Sequence, residues 1–78
     1  MIKVEFTIEP FETGEPPERV TRAVAAVEAL GIPVEIGVFG SSFVAAADKI
    51  GPALNALVSV AYENGATHIT IDTEVTNP

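Results

Sequence analysis

The chain has 78 residues, of which 47% are hydrophobic, and it contains no cysteine and a single histidine, His68. This length predicts one domain, residues 1–78, whose core is too small for high stability without reinforcement. Disulfides are excluded, and structural zinc is disfavoured because zinc sites combine several Cys and His side chains. We therefore expect reinforcement by self-association, as a dimer or tetramer. The net charge of −7 disfavours nucleic acid and anionic membranes as partners, since both attract basic surfaces.

The sequence contains no segment typical of membrane insertion or export. No apolar run approaches the ~20 residues of a membrane-spanning helix. The first residues, MIKVEF, predict a strand rather than the long apolar stretch of a signal peptide. We therefore expect a cytoplasmic protein.

The first half of the chain predicts a strand, a helix and a second strand. Strand one covers residues 2–8, where hydrophobic and polar side chains alternate. Helix one begins near Pro16 or Pro17, because proline is favoured in a first helical turn, and ends at Gly31. Strand two, IPVEIGVFG, covers residues 32–40. The apolar stripe of helix one is Val20, Ala23, Val24, Val27 and Leu30.

The second half predicts a third strand, a second helix and a fourth strand. Strand three, SFVAAA, is apolar on both faces, which is typical of an inner strand. Helix two covers about Asp48 to Tyr62 with Asp48 as its N-cap, or begins at Gly51 with Pro52 as its first residue. Strand four is HITIDTEV. The buried stripe of helix two is Ile50, Leu54, Leu57, Val58 and Ala61.

The resulting order, β-α-β-β-α-β, predicts a ferredoxin-like α+β fold. Right-handed crossovers place the strands in the order 4-1-3-2, as an antiparallel sheet with both helices on one face. The hydrophobic sets of the strands then face the helices, and the other face is open. That open face is predicted to carry Lys3, Glu5, Thr7, Glu9, Glu35, His68, Thr70, Asp72 and Glu74.

Three segments resemble a known family. MIKVEFTIEPFETGEPPERV, VEIGVFGSS and ENGATHITIDTEV are similar to sequences of the small thiamine-binding proteins of the YkoF-like superfamily. The likeness runs from Ile2 to Val75, and its specific parts include the EPF that ends strand one, Gly14, and the GAT before strand four. It implies a ferredoxin-like fold, dimers or tetramers that associate through their sheets, and binding of thiamine or its hydroxymethylpyrimidine half, without catalysis.

The chain departs from the family pattern after the strand-two glycine. The family usually has Gly-Thr, two variable residues, and then Glu-Gly. Here Gly40 and Ser41 keep the glycine and the hydroxyl, whereas Val44 and Ala45 replace the glutamate and the second glycine. With Phe43 in the core, Val44 is expected on the open face, where an acidic contact is therefore missing.

The candidate ligand-binding residues are Glu5, Thr7, Glu35, Ser41, Ser42, Val44 and Asp72. Like charges that face each other across strands are destabilising, so a face that keeps them gains from a bound cation. The carboxylates would attract the positive thiazolium ring of thiamine, and the hydroxyls would hydrogen-bond around it. The alternative is a merely solvated sheet face. Phe11 and Phe39 are expected in the core or an interface, with stacking on a ligand ring as their alternative.

These observations support two hypotheses about function. The first is a non-enzymatic protein that binds thiamine or its pyrimidine half. The second is a structural or regulatory oligomerisation module that has lost or never had vitamin binding, which the Val44 substitution favours. No nucleophile or acid–base pair suggests an enzyme, and we expect no cofactor and no metal, since calcium-loop and phosphate-loop spacings are absent from the sequence.

Overall fold

The computed structural model describes residues 1–38 and 40–76. Its elements are β1 (Ile2–Glu9), α1 (Glu18–Glu28), β2 (Glu35–Ile36), β3 (Ser41–Ala45), α2 (Ala47–Glu63) and β4 (His68–Val75). The strands form one antiparallel sheet in the order β2-β3-β1-β4, which is the predicted order seen from its other edge. The predicted ferredoxin-like α+β fold is confirmed.

The second strand is much shorter than predicted. Alternation over residues 32–40 predicts a strand, whereas β2 contains only Glu35–Ile36; Phe39 lies outside the described residues. The backbone N–H of Gly37 donates a hydrogen bond to the carbonyl of Gly40 at 2.7 Å, which closes a turn directly after β2. A β-carbon on Gly37 would lie 2.8 Å from that carbonyl oxygen, so the turn requires glycine at this position.

Both helices begin without a hydrogen bond from a capping side chain. α1 follows Pro17, as predicted, and α2 follows Ala46, so the predicted N-cap Asp48 lies inside the first turn instead. Pro52 lies within α2, and the alternative start at Gly51 is also wrong. The residue before a proline normally avoids the helical region because its β-carbon clashes with the proline ring. Gly51 has no β-carbon, which lets the helix continue through Pro52.

The core lies between the sheet and the two helices. β1 contributes Val4, Phe6 and Ile8, which are 0%, 3% and 7% exposed. The rings of Phe6 and Phe43, on adjacent strands, have their centroids 6.1 Å apart and their planes tilted by 57°. The other buried hydrophobic residues are Ala23, Val24, Val27, Ile32, Ala45, Ala53, Leu57 and Ala61. Burial of alternate residues on β1 confirms the predicted register, in which Glu5 faces away from the helices.

The ends of the predicted hydrophobic stripes are not buried. Leu30 is 41% exposed, because α1 ends at Glu28. β4 is an edge strand, so Ile71 is only half-buried against the core, and Val75 at the far end of the strand is 74% exposed. In the part of the chain that the structure describes, neither helix is long and apolar enough to cross a membrane.

Candidate functional site

A row of polar side chains crosses the open face of the sheet. Strand pairing places Ser42 of β3 between Glu35 of β2 and Glu5 of β1, and it places Asp72 of β4 on the other side of Glu5. We call these four residues the acidic row. Directly paired residues of neighbouring strands point to the same side of a sheet, so the row shares the helix-free face on which Glu5 lies.

The acidic row concentrates negative charge. Neighbouring strands lie ~4.8 Å apart, so Glu5 is adjacent to Asp72 and lies about 10 Å from Glu35 across β3. Nζ of Lys3 lies 3.4 Å from Oε1 of Glu5, and the two side chains are 39% and 55% exposed. A solvated ion pair of this kind contributes ~0–1 kcal/mol, so it offsets only part of the repulsion within the row.

The carboxylates are spread along the row rather than gathered around one point. Among residues 1–38 and 40–76, no group of three or more His, Cys, Asp or Glu side chains is placed to hold a metal ion. The row instead forms the floor of a shallow groove of about 630 Å³, which lies in the usual range for small-molecule sites. Its three carboxylates give the groove a negative charge, which attracts cations.

Two other predicted residues lie beside the row on the same face. Thr7 is opposite Thr70, and both border the groove. Val44 is opposite Lys3 and is 42% exposed, so it lies on the open face, as its sequence position predicts. It is not among the described residues that line the groove. The position at which the resembling family has an acid is therefore displaced along the sheet from Glu5.

Ser41 lies on the opposite side of the sheet from Ser42. Ser41 pairs with the core residue Phe6 and is 7% exposed. Successive residues of a strand point to opposite faces, so only one of the two serine side chains can lie on the face of the acidic row. Of the two serines, Ser42 lies on the face of the carboxylates, whereas Ser41 borders both the groove above the row and a second one.

This second groove, which we call the loop groove, lies where β1 ends. Its walls are the segment between β1 and α1, the start of α1, and the turn between β2 and β3. It encloses about 730 Å³, and its apolar lining includes Ile8, Phe11, Val20, Ile36 and Val38. Sequence reasoning missed the groove because its walls come from separate segments. The only local signal in the sequence was Phe11, an aromatic residue in an otherwise polar loop. Phe11 is 62% exposed.

Arg19 fixes one wall of the loop groove. Its Nε and Nη2 atoms donate hydrogen bonds to the carbonyl of Pro10, at 3.2 and 2.5 Å. Nη2 also lies 3.1 Å from Oε2 of Glu12, and the arginine side chain is only 14% exposed. Further along the same segment, Gly14 has a φ of 91°, a left-handed conformation that glycine adopts readily. The guanidinium group therefore ties this loop to α1.

The two grooves meet at the start of β3. The residues that line both are Phe6, Thr7, Ile36, Gly37, Gly40, Ser41 and Thr70. A β-carbon on Gly40 would lie 3.1 Å from the carbonyl oxygen of Phe6 and 3.2 Å from Cγ2 of Thr7, so a side chain there would crowd the junction. The two grooves are therefore continuous at this point of the surface.

The element order, the antiparallel sheet and the helix-free acidic face define a small ferredoxin-like α+β protein. Its fold is similar to that of a domain of unknown function, DUF77, from Bacillus cereus, with a TM-score of 0.67 and 15% identity over 99% of this chain and 75% of that one. A Streptococcus pneumoniae protein gives a TM-score of 0.67 and 11% identity over 99% of this chain and 86% of that one. A hypothetical protein from Methanocaldococcus jannascii gives a TM-score of 0.62 and 19% identity over 99% of this chain and 79% of that one.

These similarities show the fold alone, because the identities are low. No protein-family model matches the chain, and no curated protein matches it with significance.

Proposed function

We propose that this protein is a non-enzymatic, cytoplasmic binder of thiamine or of its hydroxymethylpyrimidine half, and that it works as a dimer or tetramer. The observation that carries the proposal is the acidic row, in which Glu35, Ser42, Glu5 and Asp72 are paired across all four strands. The resemblance of the sequence to the small thiamine-binding proteins supplies the identity of the ligand.

The physical argument begins with repulsion in the unliganded protein. Glu5 and Asp72 are directly paired, and like charges in that position destabilise a sheet. Lys3 neutralises only part of the charge. Thiamine carries a permanent positive charge on its thiazolium ring, and a cation above the row would relieve the repulsion. A hydrogen bond to a charged group contributes about 1.5–3 kcal/mol, roughly twice the value of a neutral one.

The groups around the row are suited to binding rather than to catalysis. Ser42 is paired with two glutamates, which can accept hydrogen bonds but are not oriented by a histidine. His68 is paired with Glu9 near the other end of β1, and its Nδ1 lies 3.3 Å from Oγ1 of Thr67. A serine nucleophile needs a base within hydrogen-bond reach, and His68 is four residue pairs away from the row along β1.

Self-association is supported by the exposed apolar surface and by the sheet edge. Val38, Val75 and Phe11 are 80%, 74% and 62% exposed. β4 is an edge strand of eight residues, and exposed strand edges are ready to pair with another chain. The same features favour the alternative function, an oligomerisation module without a vitamin, as does the exposed Val44 at the position of the family's acid.

The test is titration calorimetry with thiamine and, separately, with its pyrimidine half. We expect the parent to bind thiamine, and we expect Glu5→Gln to weaken that binding by about ten- to a hundredfold. Glu63→Gln is the matched control, because it removes the same charge from the exposed end of α2 and leaves the acidic row intact. Absence of heat with both ligands, in the parent and in Val44→Glu, would leave the oligomerisation module as the function.

A further inference from the structure

We propose that a second copy of this chain pairs edge to edge with β4, in a register centred on Ile71, and that the partner subunit thereby adds a hydroxyl group to the acidic row. The hydroxyl is that of Thr70, which lies opposite Asp72 of the other copy in this register. The inference rests on the self-association in the proposed function, and it goes further by naming the edge, the register and the residues that meet there.

The free edge of β4 is open for pairing. β4 pairs with β1 through all eight of its residues without a bulge, and no described strand pairs with its other side. Its sequence, HITIDTEV, contains neither lysine nor proline, which commonly block edge strands. The opposite edge of the sheet, β2, contains only Glu35–Ile36. β4 is therefore the edge that can hold a long strand.

The hydrogen bonds to β1 decide which residues of β4 face this edge. The backbone N–H of Thr76 donates to the carbonyl of Met1 at 3.1 Å. Residue pairs of an antiparallel ladder alternate between hydrogen-bonded and non-hydrogen-bonded, so the pair of Glu5 with Asp72 is hydrogen-bonded as well. The residues whose backbone groups point to the free edge are therefore Ile69, Ile71, Thr73 and Val75.

Symmetry limits the registers in which two β4 strands can pair. A two-fold axis perpendicular to the sheet brings them together antiparallel, with the helices of both copies on the same side. Paired residues then share a face, so the possible registers differ in steps of two residues. The register centred on Ile71 pairs this residue with its counterpart and Ile69 with Thr73, and it forms about six backbone hydrogen bonds. The neighbouring alternatives are centred on Thr70 and on Asp72.

Both alternative registers are unfavourable. The register centred on Asp72 places the Asp72 carboxylates of the two copies directly opposite each other, and each already lies beside Glu5 of its own chain. Like charges in that position are destabilising. The register centred on Thr70 leaves residues 73–75 of each copy beyond the end of the other strand, so fewer backbone groups are paired. The register centred on Ile71 avoids both costs.

The groups that meet in the register centred on Ile71 are complementary. His68 of each copy faces Glu74 of the other, so the contact occurs twice, and a protonated imidazole opposite a carboxylate is a favourable cross-strand pair. On the helix side of the sheet, Ile69 and Ile71 are only partly buried against the core of one chain. Their counterparts in the second copy continue this apolar row across the axis. Self-pairing therefore covers side chains that one chain leaves partly exposed.

The pairing also extends the acidic row into the partner subunit. Asp72 has Glu5 on one side within its own chain, and Thr70 of the second copy would lie on its other side. The threonine hydroxyl can donate a hydrogen bond to the Asp72 carboxylate. Thr70 and Asp72 both line the groove above the row, so the grooves of the two copies would adjoin at the axis. The candidate site is thus completed by a residue of the partner.

Disulfide trapping tests the register, because the chain has no cysteine of its own. Non-hydrogen-bonded partners, such as Thr70 and Asp72 in this register, have Cα atoms ~4.5 Å apart, which a disulfide can span. We expect mild oxidation of mixed Thr70→Cys and Asp72→Cys chains to give about fivefold more disulfide dimer than either variant alone. Ser59→Cys, on the exposed side of α2, is the control for random collision.

Charge exchange tests the contact between His68 and Glu74. His68→Glu places like charges opposite each other at both ends of the interface and should raise the dissociation constant of the dimer about tenfold. Adding Glu74→Lys to that variant restores opposite charges and should recover the affinity. Ser59→Glu adds the same charge to the exposed side of α2 and should change the constant by less than about twofold. Analytical ultracentrifugation measures all four proteins, and urea unfolding confirms that each is folded.

The outcomes separate this inference from the proposed function. A single-chain mass for the parent at every concentration overturns both the self-association and the register. An oligomer whose mixed chains form no more disulfide than Ser59→Cys overturns the register and leaves self-association in place through another surface. Cross-linking of Asp72→Cys alone or of Thr70→Cys alone moves the axis to that residue and overturns the register. A mixed disulfide and recovery of affinity in the doubly exchanged variant support it, whereas absence of recovery overturns the contact between His68 and Glu74.

Discussion

Glu5 and Asp72 are directly paired across β1 and β4, so two carboxylates lie side by side on the helix-free face of the sheet. The residues are far apart in sequence, and only the antiparallel pairing of the first and last strands brings them together. Their repulsion is a feature of the unliganded fold that stability measurements can detect. It also links the stability of the protein to the binding of a cation.

Asp72→Asn tests this link most directly, because it removes one of the two facing charges and leaves the ion pair of Lys3 with Glu5 intact. We expect the free energy of unfolding to rise by about 0.2–1 kcal/mol. We also expect thiamine binding to weaken by about ten- to a hundredfold, because a charge-assisted contact is lost. Urea unfolding and titration calorimetry measure the two effects.

Salt provides the control for the stability part of that prediction. The gain in Asp72→Asn should be largest at low ionic strength and should shrink at about 1 M salt, where charges are screened beyond ~3 Å. Glu5→Gln should stabilise less than Asp72→Asn, since it also breaks the contact with Lys3. A loss of stability in Asp72→Asn at low salt would show that the paired carboxylates are not repelling each other.

Val44→Glu restores the acid that the resembling family has at this position. The new carboxylate would lie opposite Lys3 and would compete with Glu5 for the ammonium group of Lys3. Glu5 would then be freer to contact a cation, so we expect thiamine to bind about three- to tenfold more tightly. Val44→Gln is the control for side-chain size, and equal affinities in the two variants would rule out a role for the charge.

Phe6→Ala tests the register of β1. Phe6 is 3% exposed and packs near the ring of Phe43, so truncation leaves a cavity and should cost about 3–5 kcal/mol of unfolding free energy. In so small a domain this loss can abolish folding. Val44→Ala, at a half-exposed position of the same sheet, should change the stability by only about 0.5 kcal/mol. A Phe6→Ala protein as stable as the parent in urea would contradict the register.

Arg19→Lys tests the loop wall. Lysine keeps the positive charge but cannot reproduce the planar fork that binds the carbonyl of Pro10 and the carboxylate of Glu12 together. We expect a loss of about 1–2 kcal/mol in unfolding free energy. Arg22→Lys is the control, because Arg22 is solvated and pairs only with Glu18 of its own helix among the described residues. Equal losses of stability in the two variants would show that Arg19 does not hold the loop.

Self-association has a simple test. We expect light scattering at micromolar concentration to give the mass of a dimer or tetramer of the 8.1 kDa chain. The reason is the combination of a small core, an exposed edge strand and exposed apolar residues such as Val38 and Val75. Val75→Lys places a charge on the edge strand and should lower the mass if that edge is used. A single-chain mass for the parent throughout the concentration range would contradict self-association.

The element order, the face on which Glu5 lies and the net charge could all be predicted from the sequence. Each depends on a local pattern: alternation with a period of two on β1, apolar stripes of helical period, and a count of charged residues. The sheet order followed as well, because handedness rules leave few ways to connect these elements. The acidic row could be predicted only as a set of residues on one face, and the pairing of Glu5 with Asp72 and Ser42 needed the register.

Alternation from the core residue Phe43 already assigns Ser41 and Ser42 to opposite faces, so placing both serines in one site was inconsistent with the sequence pattern, and the pairing of Ser41 with Phe6 shows the two faces directly. Tertiary structure alone decided the remaining features. The loop groove exists because the β1–α1 segment, α1 and the β2–β3 turn converge. Arg19 acquires its role through the carbonyl of Pro10, a backbone group that no side-chain pattern reports. Such contacts join segments that are separate along the chain, and local periodicity carries no information about them.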